Sequence, residues 1–130
     1  MPNNQLENTE PVIACNFGAI APADREAHAT KAEDVFTSVL EVKELEDGYG
    51  FRLPLETPML HTAIEFIANE RLCCSFFTFT LVVGEELWLH IGGLSEVKEY
   101  VKVNLVDALV VNTFPDKQEW IAAHTPIETP

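Results

Sequence analysis

Apolar positions along the chain fall into alternating strand and helix periods. Pro11 to Cys15 (Pro-Val-Ile-Ala-Cys) reads as a short strand, and Asn16-Phe17-Gly18 turns out of it. Pro22 suits the first turn of a helix, where its missing N–H is not needed, and Ala29, Ala32, Phe36 and Val39 then recur at helical spacing. This predicts a helix over 22–38. Leu40, Val42 and Glu44 alternate with charged neighbours, as do Tyr49, Phe51 and Leu53, with the hairpin signal Asp47-Gly48 between the two runs.

Thr57-Pro58 opens a second helix over 58–73, whose Met59, Leu60, Ala63, Ile64, Phe66 and Ile67 form a wide apolar stripe. Ser75 to Val83, rich in aromatic and β-branched residues, reads as a strand. Gly84-Glu85-Glu86 makes the turn, and Leu87 to Ile91 the returning strand. Ser95 caps a third helix that uses Val97, Val101, Leu105 and Ala108, although the valines between 103 and 114 also suit a strand. Residues 1–10 read as a flexible N-terminal segment, 11–112 as a single domain and 113–130 as a C-terminal tail carrying Trp120, Ile121 and three prolines.

The order is therefore β-α-β-β-α-β-β-α, and its hairpins imply antiparallel pairing. Helices gathered on one face of such a sheet give an α+β two-layer sandwich. The first six elements also follow the order of a ferredoxin-like split βαβ unit.

Composition narrows the partners. Eight Lys plus Arg against 21 Asp plus Glu leave a formal net charge of −13, with no basic cluster to release counterions from a phosphate backbone. Nucleic acid and anionic membrane are excluded as expected partners. No apolar run approaches the roughly 18 residues of a membrane span, and the N-terminus lacks the pattern of a secretory signal, so a cytoplasmic location is expected.

The chemistry-bearing residues gather in Glu70-Arg71-Leu72-Cys73-Cys74-Ser75-Phe76-Phe77. Continuing the stripe of Leu60, Ile64 and Ile67 leads to Arg71 and Cys74, with Glu70 beside them. A charged pair on the inner edge of a buried helix needs a partner. Three cysteines do not describe a disulfide framework. Cys73 and Cys74 have three readings: buried core filler, ligands of a soft metal ion held as thiolates with help from Arg71, or a redox pair.

Consecutive helical side chains point apart, so the two sulfurs converge only if the helix ends there. Cys15 would supply a third sulfur, and His90 or His61 a nitrogen. Trp88 and His90 share a strand face opposite Leu89 and Ile91 and could line a pocket, while His28 and His124 fall in weakly patterned regions.

Cys15, the hairpin Asp47-Gly48-Tyr49-Gly50-Phe51-Arg52-Leu53-Pro54 and the run Phe66 to Phe77 together resemble a family of small bacterial proteins of unknown function. That family's pattern is Glu-Arg-x-Cys-Cys-Pro-Phe at a helix-to-strand junction, with a single upstream Cys. The resemblance covers about residues 11–103, with Ser75 standing where the pattern has proline. Some of its members lie beside heavy-metal resistance genes, which implies thiol chemistry. The residues thus point to a small thiol protein that binds a soft metal ion or undergoes thiol redox chemistry, with Glu70 and Arg71 as electrostatic support. The rival reading is a non-catalytic interaction domain, in which an exposed apolar strand surface and the Trp120 tail serve a homodimer.

Overall fold

The two hairpin signals organise the molecule. In the computed structural model, which describes residues 15–111 and 114–124, they give β1 (Glu41–Glu44) with β2 (Gly48–Leu53) and β3 (Thr78–Val83) with β4 (Leu87–Gly92). The hairpins join through β2 and β4 into one antiparallel sheet of order β1-β2-β4-β3, with Tyr49 opposite Ile91 and Phe51 opposite Leu89. A ferredoxin-like arrangement would place the strand preceding the first helix beside β2. Here β4 occupies that position, so the topology is two hairpins linked by a helix. The strand expected over 11–15 lies, apart from Cys15, outside the described residues.

The architecture is the expected α+β two-layer sandwich. A 3₁₀ turn at Pro22–Asp24 leads into α1 (Arg25–Thr37), and α2 (Thr57–Cys73) connects the hairpins. The valine-rich stretch is helical rather than extended. The helix α3 (Ser95–Val101) continues through a π-helical segment, Lys102–Val106, into α4 (Asp107–Val110). The stretch read as a tail contains α5 (Lys117–His124), which packs against α1 and buries Trp120. No helix among the described residues is long and apolar enough to cross a membrane.

Period-two alternation sets the faces of the sheet. Tyr49, Phe51, Leu53, Leu87, Leu89 and Ile91 are buried under the helices, each fully buried side chain of this size contributing about 1.5–3 kcal/mol. Aromatic rings tie the layers together: Phe36 of α1 meets Phe51 edge-on at 5.6 Å, and Phe66 of α2 meets Phe79 at 6.2 Å. The opposite face carries half-buried Trp88 and His90, with the Lys43 ammonium 4.6 Å from the Trp88 ring centre.

Gly48 and Gly92 face each other where β2 and β4 begin and end, and a Cβ on Gly48 would collide with the backbone of Ile91 and Gly92. Both contacts are main chain, so neither can swing aside. Gly48→Ala should therefore destabilise the fold by about 1–3 kcal/mol, measured by chemical denaturation, whereas Gly84→Ala, which meets open space, should stay within about 0.5 kcal/mol.

Candidate functional site

The site forms where α2 ends. Cys74 is the C-cap of α2, with backbone angles (φ −118°, ψ 74°) that leave the helix, and its N–H still donates to the Glu70 carbonyl at 2.7 Å. That break satisfies the condition for adjacent sulfurs to converge. The segment carrying Cys15 is pinned to the same point by the Asn16 N–H, which donates to the Cys73 carbonyl at 2.8 Å.

The three sulfurs lie within 4.8 Å of one another. Cys15 and Cys74, 59 residues apart in sequence, are joined by a disulfide, while Cys73 is a free, buried thiol. The redox pairing considered from the sequence, between neighbours 73 and 74, is thus replaced by one between 15 and 74.

Glu70 is the charged residue that the site buries, at 1% exposure, and its carboxylate is bracketed by two imidazoles. His28 of α1 donates from Nε2 to Oε1 at 2.8 Å, and His124 of α5 brings Nε2 to 3.7 Å from Oε2. The His124 ring is oriented by its Nδ1, which donates to the Trp120 carbonyl at 2.9 Å, and by stacking on the Trp120 ring with centres 4.0 Å apart. His28 stacks on Phe66 at 5.5 Å. Burial pushes the Glu70 carboxyl up, but the two imidazoles, His124 and His28, outweigh it, and the net shift is below the ordinary value of 4.5.

The thiols lie against this carboxylate. Cys74 Sγ is 3.4 Å from Glu70 Oε2. Burial, and then the Glu70 charge, push the Cys73 thiol up to about 12, against a smaller opposing pull from the Asn16 N–H. Burial likewise raises Tyr100, with Glu70 adding to it, so Tyr100 stays a phenol and donates to Cys15 Sγ at 3.6 Å. The sulfurs also differ in access: Cys15 is half-buried, whereas Cys73 and Cys74 are 2% and 0% exposed. A cavity of about 250 Å³ opens beside the group, with Glu70, Tyr100, Trp120 and His124 in its wall.

Several expected site residues lie elsewhere. Arg71 is exposed, because the buried row of α2 is Ala63, Phe66, Glu70 and Cys73 rather than Leu60, Ile64, Ile67 and Arg71. It therefore does not stand beside the thiols on the inner face. His61 is exposed on the outer side of α2. His90, with Trp88, lies on the far face of the sheet, where His90 borders a separate hollow with Asp47, Thr78 and Thr80. Burial and Lys43 lower the His90 pKa. Among the described residues, the clustered ligand groups are Cys15, Cys73 and Cys74, and Glu70, Cys74 and His124, and neither His61 nor His90 belongs to them.

His28 and His124 are the residues the sequence reading passed over. Each left a trace: His28 stands four residues before Ala32 and seven before Val35, on the buried face of α1, and His124 four residues after Trp120. Searches with this chain match no protein-family model, no curated protein and no solved structure.

Proposed function

We propose that this chain is a thiol protein whose Cys15–Cys74 pair is a redox couple and whose reduced form offers three sulfurs to a soft metal ion. The observation that carries the reading is the Cys15–Cys74 disulfide, with a third sulfur and a buried carboxylate, hydrogen-bonded by His28 and approached by His124, against it. Differential access gives the chemistry a direction. The thiolate of an external thiol attacks Cys15 Sγ, the half-buried sulfur, forming a mixed disulfide there. The bond to Cys74 breaks, its electron pair remains on Cys74 Sγ, and that sulfur takes up a proton. A second external thiolate releases Cys15 as a thiol and leaves as the external disulfide. Overall, two external thiols are oxidised and one protein disulfide is reduced.

Metal binding belongs to the reduced state of the same site. Thiolates select soft cations, and a cation offsets the cost of deprotonating Cys73, whose thiol burial and Glu70 otherwise keep protonated. Arg71, exposed on α2, has no part in this reading.

Thiol titration tests it, with native, reduced and unfolded protein compared in wild type, Cys15→Ser, Cys74→Ser and Cys73→Ser. In the folded wild type, mild reduction should expose two thiols that reoxidise together, while Cys73 stays unreactive at neutral pH. Stoichiometric Zn(II), Cu(I) or Hg(II) should protect the reduced thiols, and Cys15→Ser or Cys74→Ser should abolish that protection. If all three cysteines stay silent until the protein unfolds, and metal changes nothing, they are core residues. The chain is then an interaction domain, with homodimerisation the next property to measure.

A further inference from the structure

One oxygen of the buried carboxylate has no proton donor at hydrogen-bond distance among the described residues. Glu70 Oε1 accepts from His28, whereas Oε2 meets Cys74 Sγ at 3.4 Å and His124 Nε2 at 3.7 Å. Cys74 Sγ sits in the disulfide and carries no proton. The Trp120 carbonyl can only accept, so it holds a ring proton of His124 on Nδ1 and leaves the Nε2 lone pair directed elsewhere. The 3.7 Å separation is also longer than the roughly 2.7–3.2 Å of a hydrogen bond. Three electron-rich atoms thus converge on side chains of residues that are 1%, 0% and 8% exposed. Buried acceptors that meet with no donor between them call for a cation.

The spacing gives a second, independent pointer. Four-coordinate zinc, with bonds of about 2.0–2.3 Å, sets its ligand atoms about 3.3–3.8 Å apart. The oxygen–sulfur and oxygen–nitrogen edges, at 3.4 and 3.7 Å, already match, and the third edge is no longer than 4.8 Å. Each ligand that is not a sulfur also has the outer partner typical of metal sites: His124 donates from Nδ1 to a carbonyl, and Glu70 accepts on its other oxygen from His28.

We infer that reduction of the Cys15–Cys74 bond opens a tetrahedral site for a borderline divalent cation of the Zn(II) class, held by Glu70, His124, Cys74 and Cys15. This deepens the thiol reading and rests on its redox step. A soft ion takes sulfurs, whereas a borderline ion accepts a carboxylate and an imidazole in the same shell. Cys15, set free beside Cys74 by the same reduction, completes four ligands, and Cys73 stays outside. In the disulfide neither sulfur has a thiolate to give, so the oxidised chain offers only Glu70 and His124. Reduction by two external thiols, as above, restores both protein thiols, and the entering ion displaces their two protons. Reoxidation of the pair expels the ion, which ties metal release to the redox state.

Co(II) is the probe, because it takes the same ligands as Zn(II) and its absorption reports four-coordination. The reduced full chain should bind one Co(II) that Zn(II) displaces. Loss of an outer partner alone costs about 10–100-fold, so Glu70→Gln and His124→Gln, which each remove a ligand, should weaken binding by about 100-fold or more. Oxidation should weaken it by a similar factor. His61→Gln, on the exposed side of α2, should change nothing.

X-ray absorption at the zinc edge of the reduced wild type needs no variant to fold. It should show two sulfurs at about 2.3 Å and two nitrogen or oxygen ligands at about 2.0–2.2 Å. An all-sulfur shell, or equal Co(II) binding in both redox states, would overturn the inference. If Cys15→Ser and Cys74→Ser abolish binding while Glu70→Gln and His124→Gln leave it intact, the sulfur reading stands and this site falls. If the bond does not open in folded protein, the thiol reading fails and the site fails with it.

Discussion

Glu70→Ala should be the most damaging single change in the chain, lowering the unfolding free energy by about 3–5 kcal/mol and the Tm by roughly 10 °C or more. The cost does not come from lost side-chain volume alone. The carboxylate is fully enclosed, and it is the acceptor that His28 Nε2 meets at 2.8 Å and that His124 Nε2 approaches at 3.7 Å. Its removal strands a buried N–H on α1 and loosens α5, whose His124 and Trp120 stack beside it. Glu70→Gln keeps an acceptor for His28 and should cost clearly less.

The same group gives a pH signature with a definite sign. Glu70 is held below the ordinary 4.5 in the folded protein, so it favours folding above that value. That contribution is lost as pH falls below 4.5 through the folded-state pKa. Urea titrations from pH 7 to pH 3 should show wild type losing stability faster than Glu70→Gln below 4.5. Parallel curves, or a Glu70→Ala cost under about 1 kcal/mol, would mean the carboxylate is not held in this way.

Opening the disulfide has the second-largest expected effect. Cys15 and Cys74 close a loop of 59 residues that contains α1, the first hairpin and α2. In the chain-entropy model a loop of that length restricts the unfolded state by about 4 kcal/mol. Reduction should lower wild-type stability by about 3–4 kcal/mol. Cys15→Ser and Cys74→Ser should each start near the reduced value and respond little to reductant, whereas Cys73→Ser should keep the full response. A wild-type melting curve unchanged by reductant, with thiol counting showing the bond open, would remove the bond from the stability of the fold.

Much of the scaffold could be read from residue patterning because its signals are local. Asp47-Gly48 and Gly84-Glu85-Glu86 mark turns within a few residues of the strands they join, and the α+β layers follow from hairpins and apolar stripes. The convergence of three cysteines was legible in part, since the end of α2 falls at the Cys pair itself.

The phase of α2 was not. Ile64 looks like a core residue yet is 53% exposed, while Glu70, a residue type rarely buried without a partner, occupies the inner row. What makes that row inner is non-local. His28 arrives from 42 residues upstream and His124 from the far C-terminal helix, and no pattern within α2 announces either. The sheet order likewise depends on β2 choosing β4, a pairing that element order alone does not specify. The π segment was hidden for a related reason, because its valines suit a strand as well as a helix.

That Cys15 and Cys74 form a redox couple beside a Cys73 thiol that is unreactive in the folded, metal-free protein is tested most directly by alkylation and peptide mass spectrometry across a graded thiol–disulfide buffer at neutral pH. The expected result is that Cys15 and Cys74 become labelled together, at one midpoint and reversibly, in protein that stays folded, while Cys73 is labelled only after unfolding. Labelling of Cys73 in the folded state, or a Cys15–Cys74 bond that opens only when the protein unfolds, would contradict it.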